Sequence, residues 1–152
     1  MQDIVYEKLS QAQIEKVLQD SIAEKIEDME SVMLDLPQIS IPVISNNING
    51  MYTREILIPK GTLLTGAVHL FDYVDIMLSG DITVATQDGP VRYTGANVLH
   101  GKAGRKRAGW ANEDTRWVTV HRTDISDGDI FVKTLTVKTL KEYLMIEVDK
   151  CQ

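Results

Sequence analysis

The hydrophobic period of the chain changes once, at Pro37. Ahead of it, apolar residues recur at Ile14, Val17, Leu18, Ile22, Ile26, Met29, Met33 and Leu36, the three-and-four spacing of one face of an α-helix. Glu15, Lys16, Asp20, Glu24 and Lys25 fall on the face left for water. Ser10 with Gln13 three residues later has the form of a capping box, in which each side chain satisfies an orphan amide at the helix start. Pro37 lacks an amide hydrogen and clashes with the preceding turn, so it ends the run. The pattern predicts one long helix, packed on its own domain or used as an oligomer or partner contact.

After Pro37 the pattern becomes short runs rich in β-branched and aromatic residues: ISIPVIS, MYTREILI, YVDIMLS, ITVAT, VRYT, ANVLH and RWVTVHRT. Turn-forming clusters separate most of them, at Asn46 to Gly50, Pro59 to Gly61, Gly80-Asp81, Gln87 to Pro90 and Gly101 to Gly104. Short strands at this interval with no helix between them predict an antiparallel sandwich or barrel. From Asp124 the pattern is mixed, with a last strand or short helix around Val132 to Leu144. The expected organisation is an N-terminal helical extension over 1–37, a β-domain over 38–123, and a C-terminal element over 124–152 packed on the same domain.

Residues Gly61 to Gly80, GTLLTGAVHLFDYVDIMLSG, keep the spacing of the first cupin motif, G-x5-H-x-H-x3-E-x6-G, with Ala67 at the first histidine position, His69 at the second and Tyr73 at the glutamate. The second motif, G-x5-P-x-G-x2-H-x3-N, fits more loosely. Gly104 takes its central glycine, Lys102 its proline, Arg107 its histidine and Ala111 its asparagine, while Gly95 and Asn112 are one residue out of register. The chain resembles the cupin superfamily, which implies a mainly β, cupin-like antiparallel jelly-roll barrel with an N-terminal α-helix. The four positions that hold the metal in cupins are here Ala67, His69, Tyr73 and Arg107. An arginine does not release its proton to bind a cation, so no metal and no other cofactor is expected.

Within that superfamily, Gly50 to His121 resembles small cupin-like proteins encoded by bacteriophages. The likeness rests on GMYTRE at 50–55, PKGTL at 59–63, His69, Ser79-Gly80, Ala103-Gly104, Lys106-Arg107 and the string EDTRWVTVH that ends at His121. It implies a location in the host cytoplasm, or in the virion.

Composition narrows the picture. At 152 residues and 43% hydrophobic content the chain has the core of one domain. A net charge of -6 argues against a nucleic-acid or anionic-membrane surface over the whole protein. Cys151, the single cysteine, has no intrachain partner, which suits a reducing compartment. Asp3 and Glu7, with no long apolar run, fit neither a secretory signal nor a membrane span, so a soluble, cytoplasmic protein is expected.

The candidate chemistry follows from strand periodicity. On the run from Tyr73 to Ser79, Asp75 and Met77 share the face of Tyr73, so Asp75 is placed to orient His69. On the run ending at His121, Trp117, Thr119 and His121 alternate with Val118 and Val120, which gives one face an indole and a histidine for a pocket or a subunit contact. Gly101 to Arg107 is the one dense basic cluster, and it offers Lys102 and Arg107 to an anion; its alternative is a solvated turn. Trp110, beside it, is expected in the core.

The leading expectation is a metal-free protein that binds a small polar or anionic ligand through His69, Tyr73, Arg107, Lys102, Trp117 and His121. Two alternatives stand beside it. One is a sugar-nucleotide epimerase or isomerase that uses His69, Tyr73 and Asp75 as catalytic acid and base. The other is a phage structural or host-interaction protein with the barrel as scaffold. A homo-oligomer is expected, because pairing between sheets covers exposed strand edges.

Overall fold

The computed structural model describes Ala12 and residues 21–150, the last three by backbone alone. Its elements are α1 (Ile22–Met33), β1 (Val43–Ile48), β2 (Met51–Ile58), β3 (Leu63–Thr65), β4 (Val68–His69), β5 (Tyr73–Thr86), β6 (Gly89–Thr94), β7 (Asn97–Gly101), β8 (Ala108–Arg122), α2 (Gly128–Leu135), β9 (Thr136–Val137) and α3 (Leu140–Lys150). The chain is mainly β, with antiparallel sheets and a helix ahead of the first strand, in the class expected.

The helix is shorter than the periodicity predicts. Ser21 is extended at φ -95° and ψ 140°, and its side chain accepts from the Ala23 amide, so it caps a fresh helix inside the predicted run. A serine at this point competes for the backbone, which apolar spacing does not register. The helix ends at Met33, not Pro37, and Gln38 donates from Nε2 to the carbonyls of Met33 and Leu36. The capping box at Ser10 and Gln13, the positions Ile14, Val17 and Leu18, and Cys151 lie outside the described residues.

Within the domain, α1 is anchored. Ala23 and Ile26 are buried, Lys106 Nζ pairs with Glu30 at 2.7 Å, and the Leu140 amide donates to Glu27 Oε1. Hydrogen bonding from Lys106 and Thr65 outweighs the cost of burial and holds the Glu30 carboxyl below its usual range.

One sheet carries the fold, in the order β1-β2-β8-β5-β6, with β3 added to β8 and β7 to β5. The runs YVDIMLS and ITVAT, expected as two strands with a turn at Gly80-Asp81, are a single strand, β5. Gly80 sits at φ 113°, where an added Cβ would stand 2.5 Å from the Asp114 carbonyl, and the β5–β8 register shifts between Met77 and Ile82. This is a β-bulge. It moves the inward phase from Tyr73, Asp75 and Met77 to Ile82 and Val84, as a one-residue slip must. Ile58, Met77, Ile82, Val84, Ala111 and Trp117 therefore form one core cluster from both halves of the long strands.

The C-terminal segment, read as either strand or helix, contains both. Asp127 caps α2 by accepting from the Asp129 and Ile130 amides, and β9 pairs with β4 through Val68↔Val137 and His69↔Thr136. Phe131 of α2 stacks on Tyr52 at 4.4 Å between ring centres. Asn47 fastens this segment to β1 by donating to the carbonyls of Thr123 and Ile125.

Candidate functional site

Strand periodicity and register place polar residues in a row on the inner face of the sheet. Arg54 of β2 pairs with Thr119 of β8, which in turn pairs with Asp75 of β5. The adjoining row runs from Ile56 through Trp117 to Met77 and is apolar apart from the indole nitrogen.

The polar row and the apolar wall share a cavity of about 380 Å³. Ile56, Ile58, Leu64, Ile82 and Val84 line its apolar part, and Arg54, His69, Arg107, Trp117 and Thr119 supply its polar side. Ile39 and Ile41, ahead of β1, and Phe131 of α2 complete the wall. This volume lies toward the small end of ligand pockets, which run from roughly 300 to 1,000 Å³.

Asp75 is fully buried and heavily bonded. Its Oδ2 accepts from Arg107 Nη2 at 2.5 Å, and its Oδ1 accepts from Trp117 Nε1 at 3.0 Å and Thr119 Oγ1 at 2.9 Å. Arg107 Nη2 also donates to the Tyr73 hydroxyl at 2.8 Å. Burial works against the charge on Arg107, but Tyr73 and Asp75 outweigh it and raise its pKa. Burial also raises the Tyr73 hydroxyl, which stays protonated.

The expected Asp75–His69 contact is replaced by a histidine pair. His69 Nδ1 and His121 Nε2 are 2.8 Å apart, and the rings stack at 4.9 Å. One nitrogen of the two donates and the other accepts. Burial lowers both to about 4; the charge of the neighbouring imidazole adds to the effect at His69, and Asp75 opposes it at both. Tyr73 packs on both rings, at 4.2 Å from His69 and 4.8 Å from His121. That packing needs Gly101, since an added Cβ there would lie 2.2 Å from the Tyr73 ring.

The predicted residues are thus partly gathered. His69, Arg107 and Trp117 line the cavity; Tyr73 and His121 stand behind them, buried. Lys102 is exposed and outside the cavity. The basic cluster does not converge: Arg105 Nη2 donates to the His100 carbonyl, Lys106 turns to Glu30 and the Lys138 carbonyl, and Arg107 alone enters the barrel. The turn at Ala103-Gly104, with Gly104 at φ 78°, separates Lys102 from the three basic residues that follow. Trp110, expected in the core, is 46% exposed. Arg54 and Thr119 complete the polar side; Thr119 shares the Trp117–His121 alternation, while Arg54 was legible only as an inward position of MYTREILI.

The residues at the cupin metal positions do not fit a cation. Ala67 offers no donor, Tyr73 receives the Arg107 proton donor, His69 spends Nδ1 on His121, and a guanidinium occupies the remaining position. Among the described residues no three His, Cys, Asp or Glu side chains converge as a metal site.

No protein-family model matches the chain, and no curated protein does. Solved structures similar to it include a cupin-2 domain containing protein from Shewanella frigidimarina, at 15% identity and TM-score 0.45 over 62% of this chain and 91% of that one. A cupin superfamily protein from Desulfitobacterium hafniense is similar at 10% identity and TM-score 0.48, over 62% of this chain and 87% of that one. A putative ethanolamine utilization protein Q from Salmonella typhimurium is similar at 11% identity and TM-score 0.49, over 57% and 72%.

Proposed function

We propose that the barrel cavity binds a small polar or anionic molecule without a metal ion. The observation that carries this reading is the Arg107–Asp75–Tyr73 cluster set against an apolar cavity of about 380 Å³. Apolar walls with a few convergent polar groups are the usual build of a small-molecule site, the walls supplying affinity and the polar groups orientation. Asp75 holds Arg107 in place, so a ligand meets a guanidinium whose position is already fixed. His69, kept neutral, adds a nitrogen beyond the one shared with His121.

A cavity-filling substitution tests the reading. Ala67 lines the cavity and is only half-buried, so Ala67→Phe directs a ring inward from a site that tolerates it. Small carboxylates and alcohols that raise the melting temperature of the native protein are expected to lose that effect in Ala67→Phe. Equal shifts in both proteins would place binding elsewhere and overturn the reading.

A further inference from the structure

Among the described residues two guanidinium groups line the cavity, and only one of them has a carboxylate. Arg107 is balanced by Asp75 at 2.5 Å. Arg54 forms no ion pair among the described residues, although it lies on the same inner face and lines the same cavity. With His69 and His121 neutral, the described groups around the cavity carry one uncompensated positive charge, in a protein whose net charge is -6.

The neighbours of Arg54 set the surroundings of its charge. Thr119 is its cross-strand partner, lines the same cavity and gives its hydroxyl proton to Asp75, so the hydroxyl oxygen remains an acceptor there. Glu55, next in sequence, points to the other face of β2 and is paired with Arg116 at 2.6 Å. On the far side of the polar row stand Ile56, Ile58, Leu64, Ile82 and Val84, with no charge among them.

Resting on the reading that the cavity binds a ligand, we infer that Arg54 anchors its head group and that the ligand is an amphipathic monocarboxylate. A single excess cation is neutralised by a single negative charge, and the arginine fork matches a carboxylate through two parallel hydrogen bonds. A phosphate monoester would bring a second charge into a largely apolar cavity that has no second unpaired cation among the described residues, which is costly. The apolar body of the ligand then lies against the isoleucine, leucine and valine wall, where each buried methylene favours binding by about fourfold.

The test compares octanoate, octanol and octyl phosphate by isothermal titration calorimetry on the native protein and on Arg54→Gln. Arg54 is exposed and unpaired among the described residues, so the substitution leaves the core untouched. Octanoate is expected to bind native protein about tenfold or more tighter than octanol, the usual gain from a charge-assisted hydrogen bond. Arg54→Gln is expected to bring the two within about threefold while leaving octanol unchanged. Octanoate binding that survives Arg54→Gln, or octanol matching octanoate in native protein, would overturn the anchor and leave the cavity reading standing. Tighter binding of octyl phosphate would overturn the monoanion. Binding of none of the three would overturn both the inference and the reading beneath it.

Discussion

Nδ1 of His69 and Nε2 of His121 share one hydrogen across 2.8 Å, in a cluster that buries both rings against Tyr73. Such a pair tolerates one proton between its facing nitrogens and resists a second. Both groups titrate near 4 instead of 6.5, chiefly because burial disfavours the charged form.

A stability profile follows. Between pH 6.5 and about 4 the unfolded chain binds protons that the folded state refuses, so stability is fully present above 6.5 and falls as the pH drops. Each histidine contributes a slope of up to about 1.4 kcal/mol per pH unit in that window. Urea unfolding at pH 7.0, 6.0 and 5.0, above the usual carboxylate range, should show the fall, and His121→Gln should reduce the slope by about half. A flat profile would contradict the neutral pair.

Asp75 is the hinge of the polar cluster, and its charge is the only carboxylate beside Arg107 among the described residues. Asp75→Asn should destabilise by about 3–5 kcal/mol, because it leaves a guanidinium with little access to water and no counter-charge. Joint replacement by Asp75→Asn and Arg107→Met should recover much of that loss. Chemical denaturation of the three variants checks both statements, and a double variant no better than Asp75→Asn would refute the charge argument.

The Lys106–Glu30 pair should respond unequally to the loss of each partner. The Lys106 side chain is 2% exposed and that of Glu30 29%, so a widowed lysine stays buried while a widowed glutamate turns to water. Glu30→Gln should therefore cost more than Lys106→Met, about 3 kcal/mol against about 1. Equal losses would mean that α1 is held mainly by Ala23 and Ile26.

Gly101 and Tyr73 face each other across β7 and β5. Gly101→Ala should cost about 1–3 kcal/mol by overpacking. It should also weaken the stacking of Tyr73 on the histidines, visible as altered imidazole and tyrosine ring shifts in NMR spectra. Unchanged shifts at full stability would show that the ring has room to yield.

Much of this arrangement was legible in the chain. The alternation at Tyr73, Asp75 and Met77, and at Trp117, Thr119 and His121, named the inward faces because a pleated strand has period two. The histidine pair was not legible: His69 and His121 are 52 residues apart and lie on β4 and β8 of different sheets, which only the tertiary packing brings together. Gly80 misled for a physical reason, since a glycine at positive φ serves a turn and a bulge equally well. Lys102 and Arg107 looked like one basic cluster because proximity in sequence says nothing about how the turn at Ala103-Gly104 sends the side chains apart. Arg54 gave the weakest signal, a charge on an inward strand position that becomes informative only once its lack of an ion pair among the described residues is seen.

The two tryptophans offer the most direct measurement of the central claim. Trp117 lines the cavity and donates from Nε1 to Asp75, whereas Trp110 lies outside it and is 46% exposed. In a heteronuclear NMR titration with octanoate, the account predicts a saturable shift of the Trp117 indole resonance, a still resonance for Trp110, and loss of the response in Ala67→Phe. Movement of Trp110 alone, or of neither indole at saturating octanoate, would contradict a ligand site in the barrel.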